Sequence, residues 1–328
     1  QATPARTHAW MADARDDSSS PERAAAKRAR VDGEAAARNW PLARCLDRLD
    51  DLEERRRKKS ARRFLAALTL RLAEIPKCLS SLPAAVRFVA LSDTHRYHDK
   101  VTLPAGEVLL FVGDMVGNYG RSHNIEKHFK EFLAWLLVQS KRYSRVFFIA
   151  GNHETFLDEG QHGDAAVGCE QLRRFLHEAP NCTYLQNGSA TYRGIHLWGS
   201  PVTVSRMEKD GKRYYSRAFE RTSSQRAVLW AELPEGLDLL MTHCPPRGHL
   251  CHDDVGDPLL AARLAEMLKP PRFHVFGHDH DFPGVETSAR TAFINVAQDE
   301  YLRVDPRGGG CALLFDIEAR GQVDDEDP

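Results

Sequence analysis

The chain has 328 residues, a hydrophobic fraction of 42% and a formal net charge of −1. This length holds one large domain or two small ones, and 45 basic against 46 acidic residues favour neither nucleic acid nor an anionic membrane as a partner. No apolar run reaches about 18 residues, so we expect no membrane span. Seven cysteines without a Cys-x-x-Cys pair indicate a reducing, intracellular location, which we take to be the cytoplasm.

The first part of the chain is predicted to be an extension in two pieces. Residues 1–40 carry almost no large aliphatic side chains and are predicted to be disordered. Within them, Ala24 to Asp32 resembles a short nuclear import signal, and a solvated basic patch is the alternative. Because the first residue is Gln1, the true amino terminus and any upstream targeting segment stay undefined.

Residues 41–83 are predicted to form a helical extension. Helical spacing is kept by Leu42, Leu46, Leu49 and Leu52. The basic run from Arg55 to Lys59 is either a second import signal or the solvated face of this helix. Pro76 and Pro83 close the segment, which we expect to pack on the following domain or on another chain.

From residue 84 to residue 320, strands and helices alternate, which is typical of an α/β domain. The apolar runs that predict the main strands are Val86 to Leu91, Leu109 to Val112, Val146 to Ala150, Leu237 to Met241 and Phe273 to Phe276. A crossover helix is predicted from Ile125 to Gln139, and further helices from Glu170 to His177 and from Pro258 to Leu268. Two closing strands come next, and residues 321–328 form an acidic tail that we expect to be unstructured.

Each of the five main strands ends in residues able to bind a metal ion. These residues are Asp93, His95, Asp114, Asn152, His243, His278 and His280. Ligands of open α/β sheets bind outside the carboxyl ends of the strands, so we expect the seven side chains to gather in one crevice. Imidazole, carboxylate and amide oxygen suit Zn, Mn or Fe, and seven groups exceed the need of one tetrahedral ion. The pattern therefore favours two divalent or trivalent metal ions that share a bridging ligand.

Two of the motifs place their candidate ligands two residues apart, as Asp93 with His95 and His278 with His280. Strand-like backbone puts residues i and i+2 on one side. Each pair can therefore face one pocket, while the residue between them, Asp279 in the second pair, is expected to point elsewhere.

The ordered set Asp-x-His, Gly-Asp, Gly-Asn-His-Glu, His and Gly-His-x-His resembles the calcineurin-like metallophosphoesterases. The surrounding sequence is most similar to the branch that contains the metallophosphoesterase-domain phosphodiesterases. The similarity runs from Val86 to Ile317, and five motifs in order are a stronger signal than any one of them. The resemblance implies an α/β fold of four layers, with two β-sheets flanked by helices.

Carried over position by position, the resemblance implies two metal sites that share one carboxylate. One ion would be held by Asp93, His95 and His280, and the other by Asn152, His243 and His278. Asp114 would bridge the two ions, and His153 matches the catalytic histidine beside the scissile phosphate. The metals would hold an attacking hydroxide, so no serine or cysteine nucleophile is needed.

The resemblance also implies the substrate, a small phosphate diester such as a cyclic nucleotide. Protein serine/threonine phosphatases extend the second motif as Gly-Asp-x-Val-Asp-Arg-Gly, whereas this chain has Gly-Asp-Met-Val-Gly-Asn-Tyr from Gly113 to Tyr119. The missing acid and arginine count against a phosphoprotein phosphatase and leave open what orients His153. A phosphomonoesterase, a nuclease of this fold and a metal-binding scaffold remain alternatives, and the near-neutral charge disfavours nucleic acid.

A polar stretch from Arg206 to Gln225 mixes basic and aromatic residues. It is either a substrate lid, with arginines such as Arg221 pairing with phosphate, or a solvated loop. Cys244 stands where the branch usually has glycine. Other histidines without a motif context are left unassigned, namely His98, His128, His252 and His274.

Overall fold

A computed structural model describes residues 85–117, 125–159, 165–205, 218–299 and 310–318. The predicted extensions at 1–40 and 41–83, the tail at 321–328 and the part of the polar stretch before residue 218 lie outside the described residues. Within the described ranges, no helix is long and apolar enough to cross a membrane.

The described residues contain four α-helices and fifteen strands. The helices are α1 (Ile125–Ser140), α2 (Ala165–Glu178), α3 (Ser223–Ala231) and α4 (Pro258–Glu266), with 3-10 turns at His98–Lys100 and Thr155–Leu157. The strands are β1 (Ala85–Leu91), β2 (Val101–Thr102), β3 (Val108–Val112), β4 (Arg145–Ile149), β5 (Cys182–Tyr184), β6 (Gly188–Tyr192), β7 (Ile195–Ser200), β8 (Thr203–Val204), β9 (Glu220–Arg221), β10 (Leu239–Thr242), β11 (Phe273–Phe276), β12 (Gly284–Thr287), β13 (Ala292–Asn295), β14 (Gly310–Cys311) and β15 (Leu313–Glu318).

The first sheet has the strand order β15-β1-β3-β4-β5, and only β15 runs antiparallel to its neighbour. Leu91 of β1 is level with Phe111 of β3, and Val112 of β3 is level with Ile149 of β4. The carboxyl ends of these three strands therefore stop at one edge of the sheet. Three of the five motifs begin there.

The second sheet has the order β12-β13-β11-β10-β7-β6, in which the four central strands are parallel. Thr242 at the end of β10 is level with Ser200 of β7, and Phe276 at the end of β11 is level with Asn295 of β13. The two remaining motifs start at this edge. The five main strands are thus divided between two sheets.

The side chains of the first sheet point alternately to its two faces. One face packs against helices, and the other packs against the second sheet. Its outer face packs with Phe129 and Phe132 of α1 and with residues of α2. On its inner face, Phe315 of β15 stacks on Phe88 at 5.5 Å and on Phe273 of the second sheet at 5.4 Å between ring centroids. Helices α3 and α4 cover the far face of the second sheet through residues such as Trp230. This order of layers confirms the predicted α/β sandwich.

The main strands and the helices α1 and α4 lie where they were predicted, within two residues at the ends, whereas α2 begins at Ala165, before the predicted start at Glu170. Helix α3 was not predicted, because its first residues were assigned to the polar stretch. Its start carries a capping box, in which the Thr222 side chain accepts from Gln225 N–H and the Gln225 side chain accepts from Thr222 N–H. The Thr-x-x-Gln spacing is a helix-start signal that could have revealed it.

Candidate metal centre

The structure brings all seven predicted ligands together where the carboxyl ends of the two sheets meet. Ligand atoms of Asp93, His95, Asp114 and His280 lie within 4.8 Å of one another, and so do those of Asp114, His243 and His278. The amide oxygen of Asn152 lies 3.2 Å from Nε2 of His243. Asp114 belongs to both groups, as expected of a bridging carboxylate.

The spacing in the first group suits a single ion. His280 Nε2 lies 3.3 Å from His95 Nε2 and 3.2 Å from Asp93 Oδ1, and His95 Nε2 lies 3.9 Å from Asp114 Oδ2. Ligand atoms bonded at about 2.1 Å to one ion are roughly 3.0 to 3.5 Å apart. Small inward shifts would therefore place these four side chains around one cation.

The second group has similar spacing. His243 Nε2 lies 3.3 Å from Asp114 Oδ1, and the His243 and His278 rings are 5.0 Å apart. Asn152 Nδ2 is buried and has no hydrogen-bond partner among the described residues. A metal bond to the amide oxygen would offset part of the cost of burying the Asn152 amide, although it gives Nδ2 no acceptor. The donor set of nitrogen and oxygen atoms in both groups fits Zn, Mn or Fe.

The backbone at the site is left-handed at four of the seven candidate ligands. The φ angles are 53° at Asp93, 42° at His95, 55° at Asp114 and 68° at His278. We predicted an extended backbone for the two pairs of candidate ligands. This prediction is wrong, because the chain turns sharply as each strand ends. Such conformations cost about 1–3 kcal/mol each and persist where the surroundings hold them. The residue between the second pair does point away, since Asp279 accepts a hydrogen bond from the backbone N–H of His252 at 2.6 Å.

Glycines in the motifs make room for the two aspartates. A Cβ atom at Gly151 would overlap Asp114 Oδ1, and one at Gly277 would overlap Asp93 Oδ2. The glycines at 151 and 277 are therefore required by the close approach of a carboxylate from a different strand.

The first group shows how strongly the buried aspartates attract positive charge. Burial opposes protonation of His280, yet hydrogen bonds to Asp299 and Asp93 raise its pKa to about 11. Burial likewise opposes ionisation of Asp93, but the hydrogen bond from His280 together with the charges of His243 and His280 outweighs it and lowers the pKa of Asp93 to about 2. In the absence of a cation, a proton on the imidazole balances the carboxylate.

In the second group, too, a buried aspartate shifts the pKa of a neighbouring histidine. Burial disfavours a charged His243, but the charge of Asp114 and the hydrogen bond to it raise the His243 pKa to about 9. The pKa of Asp114 lies well below its usual range, because the charges of His153 and His243 outweigh its burial. Burial and the neighbouring charge of His243 lower the pKa of His278 to about 3. Since imidazole binds a metal only when neutral, a divalent ion would replace these protons.

Three further contacts orient the candidate ligands. Asp299 Oδ2 lies 3.1 Å from Nδ1 of His280, which fixes the ring and leaves Nε2 for the site. His243 Nδ1 lies 2.9 Å from the carbonyl oxygen of Val112, and His95 Nδ1 lies 3.2 Å from that of Val116. Sequence reasoning missed Asp299, although it too lies just after the end of a parallel strand, β13.

Glu154 is the last residue of the third motif, and its role could not be read from the sequence. Its carboxylate is fully buried and accepts hydrogen bonds from the backbone N–H groups of Gly151 at 2.6 Å, Asp114 at 3.0 Å and Val116 at 3.1 Å. Glu154 thus ties the loop after β3 to the loop after β4. The relative position of Asp114 and Asn152 depends on this link.

The predicted catalytic residue lies beside the shared carboxylate. His153 donates its backbone N–H to Asp114 Oδ1 at 3.0 Å, and its Nε2 lies 3.7 Å from Asp114 Oδ2. Its ring centroid is 4.6 Å from that of His95. His153 therefore lies next to the carboxylate that the two groups share.

The unassigned histidines lie outside the two groups. His98 packs against aromatic rings of α1, and His274 Nε2 lies 2.7 Å from the Thr242 hydroxyl. His252 lies near Asp279 and Asp281 in a third group of metal-capable side chains, where its Nδ1 is 3.0 Å from Asp279 Oδ2. Hydrogen bonds within this third group account for its geometry.

Two overlapping groups of carboxylates and imidazoles, at the edge where two facing sheets end, form a site suited to metal-dependent hydrolysis of phosphate esters. Residues 86–282 match the family model for calcineurin-like phosphoesterases. The chain belongs to this family.

Curated relatives agree with this assignment. The chain is 30% identical over 253 residues to metallophosphoesterase domain-containing protein 1 of Homo sapiens and of Mus musculus, which covers 71% of this chain and 72% of each relative. It is also 37% identical over 206 residues to a probable rhamnogalacturonate lyase C of Emericella nidulans, which covers 61% of this chain but only 18% of that protein. The chain is thus similar over most of its length to a metallophosphoesterase-domain protein.

Proposed function

We propose that the chain hydrolyses small phosphate diesters, cyclic nucleotides among them, at a centre of two metal ions. The observation that carries the proposal is the convergence of six ligand-capable side chains around Asp114, with His153 beside it. Asp93, His95 and His280 would hold one ion. Asn152, His243 and His278 would hold the other, and Asp114 would bridge.

The metals, when bound, would polarise the phosphate and lower the pKa of a bound water. His153 would protonate the leaving oxygen or hold the phosphoryl group, since its ring lies next to the bridging carboxylate. Asp114 also holds the backbone N–H of His153, which keeps the imidazole near the site.

The residues just after Asp114 in the chain favour a diester over a monoester. Gly117 stands where protein phosphatases carry the acidic residue of their extended motif, and Asn118 stands where they carry arginine. A monoester carries about one more negative charge than a diester at neutral pH. Without that arginine, the site is better matched to the single charge of a diester.

The test is a substrate panel on the purified, metal-loaded chain. We expect cleavage of bis(p-nitrophenyl) phosphate and of cyclic nucleotides to exceed that of p-nitrophenyl phosphate and single-stranded DNA. Asp114→Asn should lower turnover at least about a hundredfold, because it removes the charge shared by both ions. Cleavage of monoesters alone would overturn the diester assignment, and full activity of Asp114→Asn would contradict a bridged pair.

A further inference from the structure

A short segment, residues 218–221, reaches the candidate metal centre from outside the five motifs. The backbone N–H of Ala218 donates to the carbonyl oxygen of Asn152 at 3.0 Å. Ala218 and Phe219 are buried, so water does not compete for this hydrogen bond. The peptide of one candidate ligand is therefore held by a segment that leads into β9.

Asp158 holds this segment in place. Its carboxylate is buried and accepts from the backbone N–H of Phe219 at 2.6 Å. The Arg221 guanidinium meets both carboxylate oxygens, with Nη2 to Oδ1 at 2.8 Å and Nη1 to Oδ2 at 3.1 Å. A bidentate pair of this kind fixes orientation as well as distance. Asp158 thus attaches the loop that carries Asn152 and His153 to residues 218–221.

The backbone of Phe219 shows that the segment is constrained by its surroundings. Its φ of 57° is unusual for a residue with a bulky side chain. Three contacts impose it: the N–H bond to Asp158, a hydrogen bond from Thr203 N–H to its carbonyl oxygen at 3.0 Å, and burial of its ring in the core of the first sheet. Arg221 therefore forms an ion pair with Asp158 in the loop that carries Asn152. From the sequence alone, a phosphate-binding role for this arginine was also possible.

We propose that the ion pair of Asp158 with Arg221 positions Asn152, and so tunes the affinity for the ion that Asn152, His243 and His278 would hold. This inference rests on the proposed function. Neither residue of the pair is itself a ligand. Loss of a partner that orients a ligand typically weakens metal binding about 10- to 100-fold. The contacts of the pair connect it to Asn152, which would hold one of the two ions. We therefore expect the loss of affinity to concern only the ion that Asn152 would hold.

The chain offers a matched control. Arg87 forms a bidentate pair with Asp316, with Nε to Oδ1 at 3.0 Å and Nη2 to Oδ2 at 3.2 Å. The side chain of Arg87 is 22% exposed, against 20% for Arg221. Arg87 lies near the amino end of β1, opposite the end that leads to Asp93. The acidic partner Asp316 is 29% exposed, against 2% for Asp158, so Arg87→Gln removes a bidentate pair of similar geometry but greater exposure away from the metal centre.

The experiment is a Zn²⁺ titration of the full chain against a chromophoric chelator, with metal content measured independently. We expect Arg221→Gln to raise the apparent Kd of one ion at least about tenfold and to leave the other unchanged. Arg87→Gln should bind both ions as the wild-type chain does. Asp158→Asn keeps an oxygen for Phe219 N–H but loses the charge, and it should show the same selective loss if Arg221→Gln does not fold.

Wild-type affinity for both ions in the Arg221→Gln or Asp158→Asn chain would overturn the inference. An equal loss in Arg87→Gln would overturn it as well, because the effect would then reflect general destabilisation. A wild-type chain that binds fewer than two ions would instead sink the proposed function, and this outcome is seen before any substitution is made.

Discussion

Glu154 shows how a single residue governs the geometry of the centre. Burial and the charge of Asp114 raise the pKa of Glu154 to about 8, while the hydrogen bond from Gly151 N–H acts in the opposite direction. Oε1 accepts from the N–H of Val116, and Oε2 accepts from those of Gly151 and Asp114. A carboxyl oxygen keeps this capacity to accept even when it is protonated, whereas an amide NH2 group has none. The side chain therefore acts as a buried acceptor that joins two ligand loops.

For this reason, we expect Glu154→Gln to lower the free energy of unfolding by about 1–3 kcal/mol, because its NH2 group must face a backbone N–H. Urea unfolding of the metal-free chain measures this. Glu131→Gln on the exposed side of α1 serves as the control and should change stability little. Equal stability of the Glu154→Gln and wild-type chains would contradict the role assigned to Glu154.

At the scale of elements, the turn after each strand is what brings a ligand into the site. Gly151 lies just after β4, and its position leaves no space for a Cβ beside Asp114. The strand ends are level within each sheet, so a small displacement of one turn separates candidate ligands that follow different strands. The turns therefore have to be compact as well as correctly placed.

Gly151→Ala tests this packing. The added Cβ would push Asp114 away from both groups, and we expect metal affinity to fall at least about tenfold. Gly188→Ala is the matched control, since the nearest atom to its added Cβ is Gln186 O at 3.9 Å. Chelator titration compares the two variants. Unchanged affinity of Gly151→Ala would show that Asp114 does not need this space.

At the scale of the whole molecule, the packing of α1 on the first sheet couples stability to pH. The His98 ring lies 5.0 Å from the Trp135 ring and 5.6 Å from the Phe132 ring. Burial lowers the pKa of His98 to about 4. The unfolded chain, with an ordinary histidine pKa of about 6.5, binds this proton more readily. The contribution of the neutral His98 ring to the free energy of unfolding is therefore fully present above pH 6.5 and is lost as the pH falls towards 4.

We expect this effect to cost about 2 kcal/mol at about pH 5 relative to about pH 7.5. His98→Phe keeps an aromatic ring but cannot take up a proton, so its unfolding free energy should fall less over this range. Urea unfolding of both chains at the two pH values gives the difference. An identical decline in wild-type and His98→Phe chains would rule out His98 as the cause.

Much of the fold and of the candidate site could be predicted from local sequence. Continuous apolar runs mark strands buried on both faces, and α1 carries apolar residues at helical spacing, because each pattern depends on neighbours in the chain. The same runs show which polar residues come directly after a strand. For that reason Asp114, Asn152 and His243 could be named as candidate ligands from the sequence.

The tertiary structure decided what depends on residues far apart in the chain. The rule that ligands bind at the carboxyl ends of sheet strands predicted one crevice for the five strand ends. Their division between two sheets was implied only by the resemblance, because pairing between strands is not local. The left-handed backbone at Asp93 and the contact of Asp299 with His280 are imposed by packing across the two sheets. The link from Arg221 through Asp158 to the loop of Asn152 arises in the same way. Sequence thus determined which groups are present, and long-range packing decided how they are held.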